Sequence, residues 1–343
     1  MINNRRNFIK KSLVSGAGLY LLPGSLHADI PEEIVMTVNG SINPSALKFT
    51  LTHEHILVDF IGAEKYSKDR YNADEVFNRA LPFLMDIKEK GCHTFIDCSP
   101  AYLGRDVKLL KRLADASGLI FITNTGYYGA IHENFLPKQV YTETSRQLAD
   151  QWIAEFKDGI EGTGIKPGFI KTSVDGAPLT QTQRKIIEAA ALTHLATGLT
   201  IAIHTDNGKA AKEELSILSA NGVSPEARIW VHAQKEKDMT YHIATAKSKG
   251  WVSFEDVQPD NFQITVDNLK TMRAAGLLGR VLVSHDSGWY NVGQPNGGDY
   301  KNYNTIFTQL IPALKQNGFT AQDLNTIFVK NPATAFTIRV RKM

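Results

Sequence analysis

Between residues 49 and 287, short runs rich in β-branched and aromatic residues alternate with longer stretches whose apolar positions recur at helical spacing. The β-rich runs cover 49–55, 94–99, 119–125, 168–175, 200–206, 228–234, 251–257 and 280–287. Amphipathic segments at 74–90, 104–117, 139–161, 181–197, 209–220 and 261–275 lie between them. Eight near-continuously apolar strands alternating with helical patterns predict an α/β fold of the (β/α)8 or TIM-barrel type. An open doubly wound sheet is the other architecture with this alternation. However, no Gly-x-Gly-x-x-Gly follows the first run, and no phosphate loop is present. Residues 303–343 add further helical pattern, which closes the barrel or packs beneath it. No low-complexity linker divides residues 29–343, so they read as one domain.

Residues 1–28 read differently. Asn4-Arg5-Arg6-Asn7-Phe8-Ile9-Lys10 carries a twin arginine, and the apolar run from Leu13 to Leu22 is too short to span a bilayer. Pro23, Gly24 and Ser25 then break the helix ahead of Ala28, where a peptidase could cut. The segment resembles a twin-arginine export signal, which carries folded proteins to the periplasm. A frayed basic N-terminus is the alternative. Export after folding would let a metal site fill in the cytoplasm. The signal also holds four Lys and Arg and no acid, so its removal takes the formal charge from +3 down by four, to −1. No basic field then remains to attract nucleic acid or an anionic membrane. Cys92 and Cys98 fall in one predicted strand, about 20 Å apart when extended, which excludes a disulfide between them.

The candidate chemistry lies at the strand ends, where barrel enzymes keep their active sites. In Phe49-Thr50-Leu51-Thr52-His53-Glu54-His55 the two histidines are two apart, share a strand face and can close on one metal ion. Strand four carries Lys171, strand five ends at His204, strand six at His232, and strand eight at His285-Asp286. Any one of these could be a hydrogen-bonded core residue. Polar side chains at five strand ends of an interior otherwise built from branched aliphatics point to a metal site. Glu54 and His285 alternate with these residues and should face the helices, in hydrogen-bonding roles. His27, His93, His132, His194 and His242 fall in the leader, at a strand start, in a loop and in helices, so they read as structural.

With those residues in place, the chain from about Ile34 onward resembles the phosphotriesterase family of the amidohydrolase superfamily. The matching motifs are Phe49-Thr50-Leu51-Thr52-His53-Glu54-His55, Gly104-Arg105-Asp106, Gly168-Phe169-Ile170-Lys171, Ile203-His204-Thr205, Val231-His232 and Ser284-His285-Asp286. The resemblance implies two divalent metal ions, usually zinc. His53, His55 and Asp286 would hold the buried ion, and His204 and His232 the more exposed one. Lys171, carboxylated by carbon dioxide, would bridge them. The modification is chemically necessary, because an ammonium repels a dication whereas a carbamate is an anion with two oxygens. The implied reaction is attack of a metal-bridging hydroxide on an ester, with Asp286 taking the proton.

For substrate contacts the resemblance points to Tyr128, in Thr125-Gly126-Tyr127-Tyr128, although a Tyr packing the barrel mouth reads equally well there. Segment 288–302 is placed to form a lid or specificity wall, with Trp289 and Tyr290 as candidate contacts. The strand-seven acid is taken as Asp256, followed by Val257. Organophosphate hydrolases of the family carry His there and the lactonases Arg. Gln234-Lys235 stands where a relay acid would follow strand six. Together these imply a metal-dependent hydrolase of a lactone or other carboxyl ester, with a small-molecule partner and no nucleic acid or membrane. A homodimer is compatible. The alternatives are an organophosphate triester hydrolase and a non-catalytic, metal-containing, exported binding protein.

Overall fold

The computed structural model describes residues 33–343; the expected export signal lies outside them. Glu33–Met343 form one unit. It opens with a hairpin of β1 (Val35–Thr37) and β2 (Gly40–Ile42). The barrel strands follow as β3 (Thr50–Val58), β4 (Thr94–Asp97), β5 (Ile120–Ile122) continued by β6 (Asn124–Thr125), and β7 (Phe169–Ser173). They continue as β8 (Thr200–His204), β9 (Arg228–Val231), β10 (Trp251–Phe254) and β11 (Val281–Val283), and β12 (Gly288–Asn291) comes last. All eight predicted runs are strands. The ladders form two parallel arcs, β12–β3–β4–β5 and β6–β7–β8–β9–β10–β11. One residue, Thr123, separates β5 from β6, so the third strand belongs to both arcs. At the other junction no regular ladder joins β11 to β3. There the Asp286 N–H donates to the His53 carbonyl at 3.0 Å, and β12 pairs onward with Gly288 opposite His55.

The helices occupy the predicted segments, with two departures. The stretch 139–161 divides into Gln139–Thr142 and Ser145–Asp158, the latter started by a Thr144–Gln147 capping box. A helix at Met239–Lys247 had too little amphipathic contrast to be read from the sequence. No helix among the described residues is long and apolar enough to cross a membrane. Cys92 and Cys98 are buried and unbridged.

Strand alternation sorts the side chains into an outer and an inner layer. Phe95, Ile170, Ile203, Trp230 and Val252 pack outward against helices. Ile96, Phe169, Ala202, Ile229, Trp251 and Leu282 fill the lumen, closed below by Val35, Leu47 and Phe336. The next inward positions above Phe169 and Ala202 are Lys171 and His204, and two steps above Trp251 is Glu255. The floor is apolar and the top is polar.

The first strand reaches this arrangement through an irregularity. Thr50 and Leu51 pair with Thr94 and Phe95, yet Glu54 pairs with Asp97, so β3 carries one extra residue. That bulge exchanges the faces of the strand. Leu51 packs outward with the helices, while His53 and His55 turn into the lumen and Glu54 turns out. As expected, Glu54 and His285 serve as hydrogen-bonding residues. The fully buried Glu54 carboxylate accepts from Ser284 Oγ at 2.7 Å, from His285 N–H at 2.9 Å and Nδ1 at 2.8 Å, and from Ser287 N–H at 2.9 Å. His285 Nε2 in turn accepts the Ile306 N–H at 3.0 Å, which leaves Nδ1 to carry the proton given to Glu54. Gly288 completes the seam: at φ 95° a Cβ there would collide with the His55 carbonyl and Tyr303.

Replacing Glu54 with Gln turns one acceptor oxygen into a donor facing other donors. Glu54→Gln is expected to lower stability by about 2–4 kcal/mol, since unpaired buried donors cost ~1–3 kcal/mol each. Urea unfolding of chelator-treated protein measures this, and an unchanged midpoint and slope would contradict it.

Candidate metal centre

The lumen top gathers side chains from most of the strands. His53, His55, Lys171, His204, His232 and Asp286 line one deep cavity of about 60 Å³. A larger pocket of about 580 Å³ shares its Phe60, Tyr128, His204, His232, Asp286 and Trp289 walls. Every residue expected to ligate metal is therefore present in one place. Two arrive there through unusual backbone. After lumen-facing Val231, alternation alone would send His232 outward, but its φ of 62° swings the ring back into the cavity. Asp286 has a φ of 55°. Left-handed backbone at such residues is sparse elsewhere and clusters at functional sites.

The ring nitrogens are oriented by their partners. Glu255, buried at 1% exposure, places Oε1 2.9 Å from His53 Nδ1 and Oε2 3.0 Å from His232 Nδ1. A carboxylate only accepts, so a proton on each Nδ1 suits these contacts and would leave both Nε2 atoms as lone pairs, although the His53 Nδ1 contact is close without hydrogen-bond alignment. Ser99 Oγ donates to the Leu57 carbonyl at 2.8 Å and so accepts from His55 Nδ1 at 2.8 Å. His55 Nε2 is thereby also left as a lone pair. It lies 3.2 Å from His53 Nε2 and 3.1 Å from Asp286 Oδ1. Two lone pairs and a carboxylate oxygen facing one another repel unless a cation sits among them. The 3.2 Å spacing suits two nitrogens each about 2.1 Å from one ion. The ligand atoms of His53, His55 and Asp286 all lie within 4.8 Å of one another, as do those of His53, His232 and Glu255.

Electrostatics support neutral imidazoles. Burial holds His53 well below the ordinary histidine range, helped by Lys171, and holds His232 well below it, helped by His204. Burial lowers His204 as well. Burial opposes ionisation of Asp286, yet His53 and the contact with His55 hold its carboxyl well below the usual range. Lys171 is 1% exposed, and its Nζ has no hydrogen-bond partner; Asp286 Oδ1 has none either. A buried ammonium without an anion is costly. The donor set fits divalent cations.

The substrate-contact expectations divide. Tyr128 is buried at the centre, with its hydroxyl 3.1 Å from His204 Nδ1. Trp289, at φ 73°, stands edge-on to His55 with ring centroids 5.4 Å apart. Tyr290 is a correction. Segment 288–302 does not start as a lid loop but as β12, and strand alternation turns Tyr290 away from Trp289. Its hydroxyl donates to Glu75 Oε2 at 3.3 Å, on the helix side. The inward-facing acid of strand seven is Glu255, not the expected Asp256. Asp256, at φ 59°, lies on the wall of the larger pocket instead. The shared parity of Trp251, Ser253 and Glu255 was the available signal.

Comparisons with known proteins place the chain in a family. The family model described as the phosphotriesterase family matches residues 33–336. A phosphotriesterase homology protein of Escherichia coli is 28% identical, over 84% of this chain and 97% of that protein. An aryldialkylphosphatase of Saccharolobus solfataricus is 28% identical, over 89% and 99%. An N-acetyltaurine hydrolase of Bos taurus is 24% identical, over 89% and 98%. A mutant of the organophosphorus hydrolase from Deinococcus radiodurans superposes with a TM-score of 0.79 at 23% identity, over 88% of this chain and 96% of that one, and so shares the fold. With eight barrel strands presenting these motifs at their ends, the chain belongs to the phosphotriesterase family.

Proposed function

We propose that the protein is a hydrolase that attacks a lactone or other carboxyl ester at this centre, using two divalent ions, with zinc the expected metal. His53, His55 and Asp286 would hold one ion and His204 and His232 the other, with Lys171, carboxylated on Nζ, supplying an anionic ligand to both. The observation that carries this reading is Lys171. Its ammonium is buried among four histidines without a partner, and carboxylation turns that misplaced cation into the anionic ligand the histidines need.

Bound divalent ions supply Lewis-acid polarisation of the scissile carbonyl and acidify water. The chain supplies the rest. Asp286 Oδ1 faces His53 and His55 at 3.6 and 3.1 Å, which leaves Oδ2 to accept the proton of the attacking water. The Tyr128 hydroxyl, beside His204, donates towards the oxygen that becomes negative, a role worth about 10²–10³ in rate. Glu255 and Ser99 keep the imidazole lone pairs aimed into the cavity. A relative named for hydrolysing an N-acetyl compound supports attack at an acyl carbon. The relative named aryldialkylphosphatase supports the second reading, a phosphotriester substrate. Here the residue after Glu255 is Asp256, not the His that the resemblance associates with phosphotriester turnover. A non-catalytic binding protein is separated from both readings by turnover of any activated ester that chelation abolishes.

Three outcomes test the reading. Asp286→Asn keeps an oxygen ligand and loses the base, so kcat should fall by about 10²–10⁴ while elemental analysis finds the metal largely retained; full turnover at neutral pH would remove its catalytic role. Glu255→Gln leaves an acceptor for only one of the two Nδ1 atoms and sets a donor against the other, and competition with a chromogenic chelator should show divalent binding weakened by about 10–100-fold. Unchanged affinity would remove the orienting role. Paired kinetics on a simple γ- or δ-lactone and on a dialkyl aryl phosphate should give the lactone the higher kcat/KM; the reverse order would overturn the carboxyl-ester assignment and leave the metal centre standing.

A further inference from the structure

Ile131, His132 and Glu133 are three consecutive residues at positive φ, of 56°, 54° and 64°. A β-branched residue in that region is a genuine outlier, because its Cβ crowds the backbone. Packing does not account for Ile131 either: it is 49% exposed, and it lines the larger pocket above the metal centre. The strained turn is braced from β7, the strand that carries Lys171. Past its end, Asp175 accepts the Ile131 N–H at 2.8 Å and the His132 N–H at 3.3 Å, and also accepts Gln183 Nε2 at 2.9 Å. Ser173 Oγ accepts the Ala130 N–H at 2.8 Å. Elsewhere on the same rim stand Ile264, 57% exposed, and Phe60, 39% exposed, the latter with its ring 5.6 Å from that of Trp289. Strain and exposed apolar surface both cost stability, and local violations of this kind persist where function requires them.

We propose that residues 129–135 form a preset wall that reads an apolar acyl arm of the substrate, with Ile131 as its specificity-determining residue. This rests on the hydrolase reading above and names the part of the substrate that lies outside the reacting bond. The arm runs from the metal centre between Ile131, Ile264 and Phe60, covering surface that is otherwise exposed to water.

The test uses the zinc-loaded full chain, with acetate and octanoate as carboxylate probes in calorimetry and nitrophenyl acetate and nitrophenyl octanoate in kinetics. The wild type should bind octanoate at least about tenfold tighter than acetate, the gain expected from burying even a few methylenes. Ile131→Gly should lose most of that gain and raise KM for the octanoate ester by about tenfold, with a much smaller change for the acetate ester. Because glycine suits the left-handed turn, its urea midpoint should not fall. Ile264→Ala should show the same loss of octanoate binding with no change of backbone preference. Chain-length dependence that is absent in the wild type, or identical in Ile131→Gly, overturns the proposal. Octanoate binding that depends on Ile131, with neither ester turned over, supports the wall and rejects the hydrolase reading alone.

Discussion

Lone pairs facing lone pairs are the constraint on which this structure depends. The His55 Nδ1 proton is committed to Ser99, His53 and His232 turn Nδ1 towards Glu255 at 2.9 and 3.0 Å, and the Nε2 atoms of His53 and His55 meet 3.2 Å apart in a buried cavity with Asp286 and a partnerless Lys171. Burial removes the water that would otherwise satisfy them, and the imidazoles are held neutral. Such a cluster is stable only around cations. Much of the upper barrel serves this end. The bulge in β3 turns His53 and His55 inward, the left-handed His232 turns a helix-facing position into a cavity-facing one, and the Glu54–His285 lock holds the eighth strand against the first.

The sequence carried the barrel and the metal cluster because both follow from simple periodicities. Strand and helix alternate in the hydrophobic pattern, and metal-binding residue types recur at strand ends. Other features depend on register and backbone, which no pattern of residue types encodes. The two histidines of β3 share a face, as two-residue spacing requires, but the bulge that makes that face the inner one appears only in the pairing with β4. Asp256 and Glu255 differ by one residue, and in a strand one residue is a whole face. Tyr290 failed for the same reason, once 288–302 proved to begin as a strand. The route by which Ser99 fixes the His55 tautomer joins residues far apart in sequence and had no local signal.

Centre and pocket wall are built differently. Relatives at 24–28% identity carry names as different as aryldialkylphosphatase and N-acetyltaurine hydrolase. The wall is a strained Ile131 turn, an exposed Ile264, and a Trp289 at positive φ. On the proposed reading, the buried layer sets the reaction class and the exposed one the substrate. The same strand, β7, anchors both, with Lys171 at its centre and Ser173 and Asp175 bracing the wall.

The central claim is that Lys171 enters the centre as a carbamate. Carbon-13 NMR of protein reconstituted with zinc and labelled bicarbonate tests it directly. The account predicts one slowly exchanging carbamate carbon per chain, absent from Lys171→Met, together with loss of metal from that variant. A fully metal-loaded wild type without the carbamate signal, or a Lys171→Met chain that retains two ions, would contradict it.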